Sequence, residues 1–167
     1  HLHSVLGVER GVLTQPSVYG TDNTAMLDAV ARDPVNLRAV AAVGADVTDA
    51  ELHRLNDAGV RGIRVNLVDK GGMPFDSFAD VERFAERIVP MGWQIEYLVH
   101  VHDFPDLDVL GNLPADSVVG HFGYMHLSNG LDHPGWLSFL RLFEKGRIWV
   151  KMTAPYRITQ RDVLPYD

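Results

Sequence analysis

The sequence predicts a parallel α/β protein of the (β/α)8 TIM-barrel type, incomplete at about six βα units. Three observations predict it. Four strand-like runs each begin just after a glycine that closes a helix-like stretch, at Gly7, Gly59, Gly92 and Gly146. A glycine past a helix end adopts the left-handed conformation that other residues resist. The strand-like segments recur at roughly the thirty-residue spacing of a βα unit. Finally, the run Gly62-Ile63-Arg64-Val65-Asn66-Leu67-Val68 is apolar on one face and polar on the other. A central parallel strand is normally apolar on both faces, so its polar face calls for a lumen.

Taken in order, His1–Leu6 reads as the tail of a helix, followed by a strand near Gly11–Gln15 and another near Leu37–Val43. Thr48-x-x-Glu51 is a capping box opening the helix that ends at Gly59. The strand near Gly62–Val68 follows. Phe78, Val81, Phe84, Ala85 and Ile88 keep helical spacing and mark a face buried on the sheet. Strands near Gln94–Val99, Ser117–Gly120 and Ile148–Met152 complete the pattern. Between the first two of these, the stretch from Phe104 to Leu113 is only weakly helical. Between the last two, Pro134 suits a first helical turn, and Trp136, Leu137, Leu140 and Phe143 supply the expected apolar stripe. An open doubly wound sheet would also be complete at six strands. That fold announces itself with a glycine-rich turn after strand one, and Gln15-Pro16-Ser17-Val18-Tyr19-Gly20 is not one.

Composition narrows the function. The 167 residues are read as one domain, 1–167, with a formal charge of -7 from 15 basic and 22 acidic residues. So acidic a surface argues against nucleic acid or an anionic membrane as partner. The absence of cysteine excludes disulfides and thiolate chemistry. With no apolar run of membrane-spanning length, a cytoplasmic protein is the expectation.

The candidate site residues lie where strands end. Arg64 and Asn66 share the polar face, and Arg64 suits a carboxylate held by two parallel hydrogen bonds; the alternative is a structural ion pair with a neighbouring strand. His121 follows a strand between Gly120 and Gly123, placed to polarise a carbonyl, carry a proton or bind a metal. Lys151 is either a lumen residue or a solvated edge residue. Ser17, Tyr19, Glu96 and Tyr97 are further polar residues at strand ends. His100-x-His102 beside Asp103 has metal-ligand spacing, but a solvated loop is the favoured reading, and no metal ligand is assigned. His1-x-His3 sits in the helix tail, where the two side chains diverge.

The segments LGVERGVLTQPSVYGTDN, AGVRGIRVNL, MGW before a strand, the HFG turn, HPG before a helix and GRIWVKMTAPYRIT resemble the amidohydrolase-related family of TIM barrels. The branch they resemble contains 2-pyrone-4,6-dicarboxylate lactonase and sugar lactonases. The resemblance covers nearly the whole chain and implies barrel strands two to seven. It implies hydrolysis of a small anionic, carboxylated cyclic ester by activated water. By position, Ser17, Arg64, Tyr97 and Arg157 would hold the substrate's carboxylates and carbonyl, with Lys70 as a further basic residue. His121 would polarise the scissile carbonyl, and Tyr19, Asn66 and Tyr124 complete the expected substrate contacts.

Two departures qualify the resemblance. The strand-one His-x-His and the strand-eight Asp, the family's base on water, are absent, so the chain looks like a fragment of a longer protein. Tyr124 stands where the dicarboxylate lactonase has an arginine, which implies a different substrate. The cofactor is expected to be none, or one divalent zinc in a full-length protein. Two alternatives stay open: a metal-dependent decarboxylase of the same superfamily, and a catalytically inactive fragment that forms a homodimer through open barrel edges.

Overall fold

The computed structural model describes residues 2–68, 75 and 78–166. Within them a six-stranded sheet runs in sequence order, every neighbouring pair parallel. Its strands are β1 (Gly11–Thr14), β2 (Leu37–Ala41), β3 (Val60–Asn66), β4 (Gln94–Leu98), β5 (Ser117–Val119) and β6 (Ile148–Val150). The helices are α1 (Leu2–Leu6), α2 (Thr24–Arg32), α3 (Asp49–Asp57), α4 (Phe78–Ile88) and α5 (Pro134–Glu144). All six expected strands are present, each within a few residues of its expected bounds. The four glycines that open the strands have φ between 66° and 95°. Thr48 caps α3 by accepting from the Glu51 N–H at 3.2 Å.

The sheet is curled. Neighbouring strands stand about 4.8 Å apart, so flat pairing would put β1 and β4 roughly 14 Å apart and β1 and β6 roughly 24 Å apart. Instead Thr14 Oγ1 on β1 reaches Glu96 Oε2 on β4 at 3.3 Å, and Lys151 Nζ, just past β6, lies 3.4 Å from Thr14 Oγ1. Only a half-barrel closes those chords. The convex face carries the core: Ala39, Ile63, Val65, Ile95 and Val119 pack against Val30, Leu52, Leu55, Val81, Phe84, Ile88, Phe139 and Leu142 from the helices.

Three sequence expectations change. The buried face of α5 is Gly135, Ser138, Phe139 and Leu142, whereas Leu137, Leu140 and Phe143 stand 42–44% exposed. This helix is apolar on both sides, so periodicity fixes that it is a helix but not which side meets the sheet. The stretch from Phe104 to Leu113 forms no α-helix; a 3₁₀ segment spans Leu107–Asn112, tied to α5 by Ser138 Oγ, which donates to Asp108 Oδ1 at 2.9 Å and accepts from the Asp108 N–H at 3.0 Å. Tyr97, expected to contact substrate, lies on the convex face, register partner of Val65 and wholly buried.

Two glycines bring the start of α5 and the mouth of β5 onto one residue, Val101, the first against its backbone and the second against its side chain. A Cβ at Gly135 would lie 2.1 Å from the Val101 carbonyl oxygen, and one at Gly123 would lie 2.4 Å from Val101 Cγ1. At Gly120 a Cβ would meet nothing nearer than 3.6 Å. Gly135→Ala is therefore expected to cost about 1–3 kcal/mol by overpacking, read as a lowered thermal midpoint, while Gly120→Ala leaves that midpoint nearly unchanged.

Candidate active site at the mouth of the half-barrel

The concave face gathers charge. Register places Arg64 beside Glu96 and Asn66 beside Leu98. Glu96 is 6% exposed and accepts a hydrogen bond from Lys151 Nζ at 2.6 Å. Lys151 is thus a lumen residue, a question its strand alone left open. A buried carboxylate is tolerable only when paired, and here Thr14 and Lys151 supply the pairing from strands far away in sequence.

Around this pair the expected residues form two groups. At the β1–β3 side, Arg64 Nη1 donates to the Gln15 carbonyl at 2.7 Å, and Asn66 Nδ2 donates to Ser17 Oγ at 3.0 Å. Arg64 Nε is buried with no hydrogen-bond partner. Ser17 and Tyr19 occupy a 3₁₀ turn after β1, Tyr19 56% exposed. That turn is fixed by Gln15, whose side-chain amide donates to the Asp22 carbonyl at 2.6 Å.

At the β5–β6 side, His121 Nδ1 lies 2.9 Å from Thr153 Oγ1, and its ring meets Tyr124 edge-on at 5.4 Å. The Arg157 guanidinium stacks over Tyr124 at 5.5 Å. Burial first, then the Arg157 and Lys151 cations, hold the His121 imidazole below its ordinary 6.5, against a bond to Thr153 and the Glu96 charge. His121, Phe122 and Tyr124 all have left-handed φ of 50–54°. Such strain at non-glycine residues is characteristic of functional turns.

Not every expected residue joins these groups. The Tyr97 hydroxyl points into the helix-side core beside Ser117 Oγ, yet neither atom makes a well-formed hydrogen bond. Burial pushes its phenol well above the ordinary 10. Adjacent strand residues face opposite ways, so with Glu96 in the lumen Tyr97 cannot be. Lys70 lies outside the described residues. Sequence reasoning named Glu96 as a polar strand-end residue and left Lys151 between lumen and solvent, without pairing the two; the available signal was that Glu96 stands beside Arg64 and that Lys151 shares a face with Thr153.

A divalent cation does not fit the centre of this lumen as described. Glu96 is committed to Lys151, and Arg157 and Lys151 oppose further positive charge beside His121. What the arrangement suits is an anion.

With that geometry established, kinship follows. The amidohydrolase family profile (Amidohydro_2) matches residues 1–167. The chain belongs to the amidohydrolase family. It is 34% identical to a 2-pyrone-4,6-dicarboxylate hydrolase of Comamonas testosteroni over 99% of this chain and 59% of that protein. It is 29% identical to a 4-sulfomuconolactone hydrolase of Hydrogenophaga intermedia over 96% of this chain and 55% of that one. Among solved structures, a probable 2-pyrone-4,6-dicarboxylic acid hydrolase of Acinetobacter baumannii with citric acid bound superposes with a TM-score of 0.82 at 30% identity, covering 93% of this chain and 58% of the other. The chain therefore spans somewhat more than half the length of these relatives. No described helix is long and apolar enough to cross a membrane.

Lys151→Met would strand the Glu96 carboxylate. The expected cost is about 1–3 kcal/mol in urea unfolding, below the value for a fully buried pair because the lysine side chain is 36% exposed. Glu96→Gln combined with Lys151→Met is expected to recover most of it. His121 should titrate below 6.5 by proton NMR, and Arg157→Ala should move it back upward. Because its folded pKa is depressed, its contribution to stability is complete above 6.5 and is lost as pH falls through the lower folded value.

Proposed function

We propose that the full-length protein hydrolyses a small carboxylated lactone. The observation that carries this reading is the gathering of Arg64, Lys151, His121 and the exposed Arg157 at the mouth of the half-barrel, in a chain whose formal charge is -7. Field within a cleft is local, so an acidic exterior does not prevent an anion from concentrating there. The relatives' printed names, hydrolases of a pyrone dicarboxylate and a sulfomuconolactone, support the same substrate class.

In this reading Arg64 anchors a substrate carboxylate, with Asn66 and Ser17 beside it. Thr153 occupies Nδ1 of His121, so Nε2 is the nitrogen left toward the substrate. A neutral imidazole whose Nδ1 accepts from the Thr153 hydroxyl presents Nε2–H to the lactone carbonyl oxygen. That donor strengthens as water oxygen adds to the carbonyl carbon and negative charge grows on the oxygen. The ring C–O bond then breaks, the departing oxygen takes a proton, and a hydroxy carboxylate leaves. The base on water is assigned, by resemblance, to an aspartate on a strand outside these residues.

Arg64→Ala is expected to raise KM at least tenfold for a carboxylated lactone with a smaller effect on kcat, since it removes ground-state binding. His121→Ala is expected to lower kcat by about 10²–10³, the range for losing one oxyanion donor. Steady-state kinetics on 2-pyrone-4,6-dicarboxylate and monocarboxylated lactones, followed by loss of ring absorbance, checks both. Unchanged kinetics in both variants overturns the assignment.

A further inference from the structure

We propose that Tyr124 is a positioning residue: its ring is the seat that holds the Arg157 guanidinium at the mouth beside His121, ready for a substrate carboxylate. This deepens the lactonase reading and rests on it for the identity of the anion, whereas the seating itself is a property of the protein alone.

Tyr124 is half-buried, and its ring is met from three strand ends. His100, after β4, approaches it at 5.3 Å and 62°; His121, after β5, approaches at 5.4 Å and 83°; Arg157, after β6, lies over it at 5.5 Å. The backbone beneath the ring is fixed. Its neighbours Gly123 and Met125 are both buried, and the Gly123 N–H donates to the Gly120 carbonyl at 2.9 Å. A φ of 50° is one an aromatic residue adopts only when its surroundings impose it. The ring is therefore placed by the turn, and what leans on the ring is placed by it.

Arg157 needs such a seat. Lys151 is paired with Glu96 at 2.6 Å, and Arg64 donates to the Gln15 carbonyl at 2.7 Å. Among the described residues, the Arg157 side chain makes no hydrogen bond or ion pair and rests on two rings, Tyr124 and Tyr156, at 5.5 Å each. Tyr156 is 59% exposed and next to Arg157 in the chain, so Tyr124 is the ring that ties the guanidinium to the cavity wall. A guanidinium within about 6 Å of a ring centroid is drawn to the ring face. Stacking occupies the flat face of the cation and leaves its in-plane N–H donors for a carboxylate. Seating a long side chain beforehand also removes part of the ordering cost of binding. The seat keeps Arg157 close enough to His121 to lower the imidazole pKa, after burial and ahead of Lys151.

The test is a double-mutant cycle in the full-length protein between Tyr124→Gly and Arg157→Ala. Glycine is at ease at this φ, so the ring is removed without straining the turn. The first readout needs no substrate: the His121 pKa by proton NMR, with Arg157, Lys151, Glu96 and the Tyr124 phenol as the groups around the imidazole. Tyr124→Gly is expected to raise that pKa more when Arg157 is present than when it is alanine; an equal or smaller rise overturns the seating. The second readout is KM for a carboxylated lactone. Tyr124→Gly is expected to raise KM about fivefold or more with a smaller change in kcat, and by less than about twofold once Arg157 is alanine. Tyr124→Phe, which keeps the ring, is expected to bring KM back to within about threefold of wild type. Equal KM increases in the two backgrounds overturn the proposal, as does a phenylalanine variant as impaired as the glycine one. If wild type hydrolyses no carboxylated lactone, the lactonase reading falls and the NMR cycle alone decides the seating. If Tyr124→Gly does not melt cooperatively, Tyr124→Asn, which also accepts a left-handed φ, replaces it in both readouts.

Discussion

One buried ion pair organises the concave side of this protein. Glu96 sits at the middle of the sheet with almost no access to water, and its partners come from opposite ends of the chain, Thr14 from the first strand and Lys151 from just past the last. A carboxylate in that position is costly unless a cation and a hydroxyl are both present. Meeting the requirement means bending the sheet until its outer strands face each other. Curvature, the lumen and the convergence of basic groups around it are thus coupled to one electrostatic demand. Hydrophobic burial on the convex face supplies the bulk of the driving force.

The two sides of the mouth solve different problems. Near β1 and β3, side chains are held by backbone acceptors and by one another, leaving a guanidinium nitrogen without a partner. Near β5 and β6, burial first and then the Arg157 and Lys151 cations lower the pKa of the His121 imidazole. The roles proposed above, an anchoring cation on one side and a carbonyl-polarising group on the other, would divide the work on an anionic ester. Membership in the amidohydrolase family rests on the whole chain.

Much of this was legible in the sequence. Glycines at positions 7, 59, 92 and 146 mark the entry to their strands because the left-handed conformation is nearly theirs alone. The polar parity of Arg64 and Asn66 correctly signalled a lumen. What failed did so for identifiable reasons. The α5 segment offers two apolar faces, so the exposed one, Leu137, Leu140 and Phe143, reads as well as the buried one. Tyr97 was chosen by resemblance, though its neighbour Glu96 holds the inward parity.

The left-handed residues at 121, 122 and 124 carry a consequence of their own. Each costs of order 1–2 kcal/mol where glycine would cost little, so the loop's path is imposed by its neighbours rather than chosen by its own side chains. A backbone dictated from outside works as a fixed die. Exchanging the aromatic groups it carries alters what the cavity admits without altering where the cavity's wall runs, and a family built on such a die can diversify its substrates by changing side chains alone.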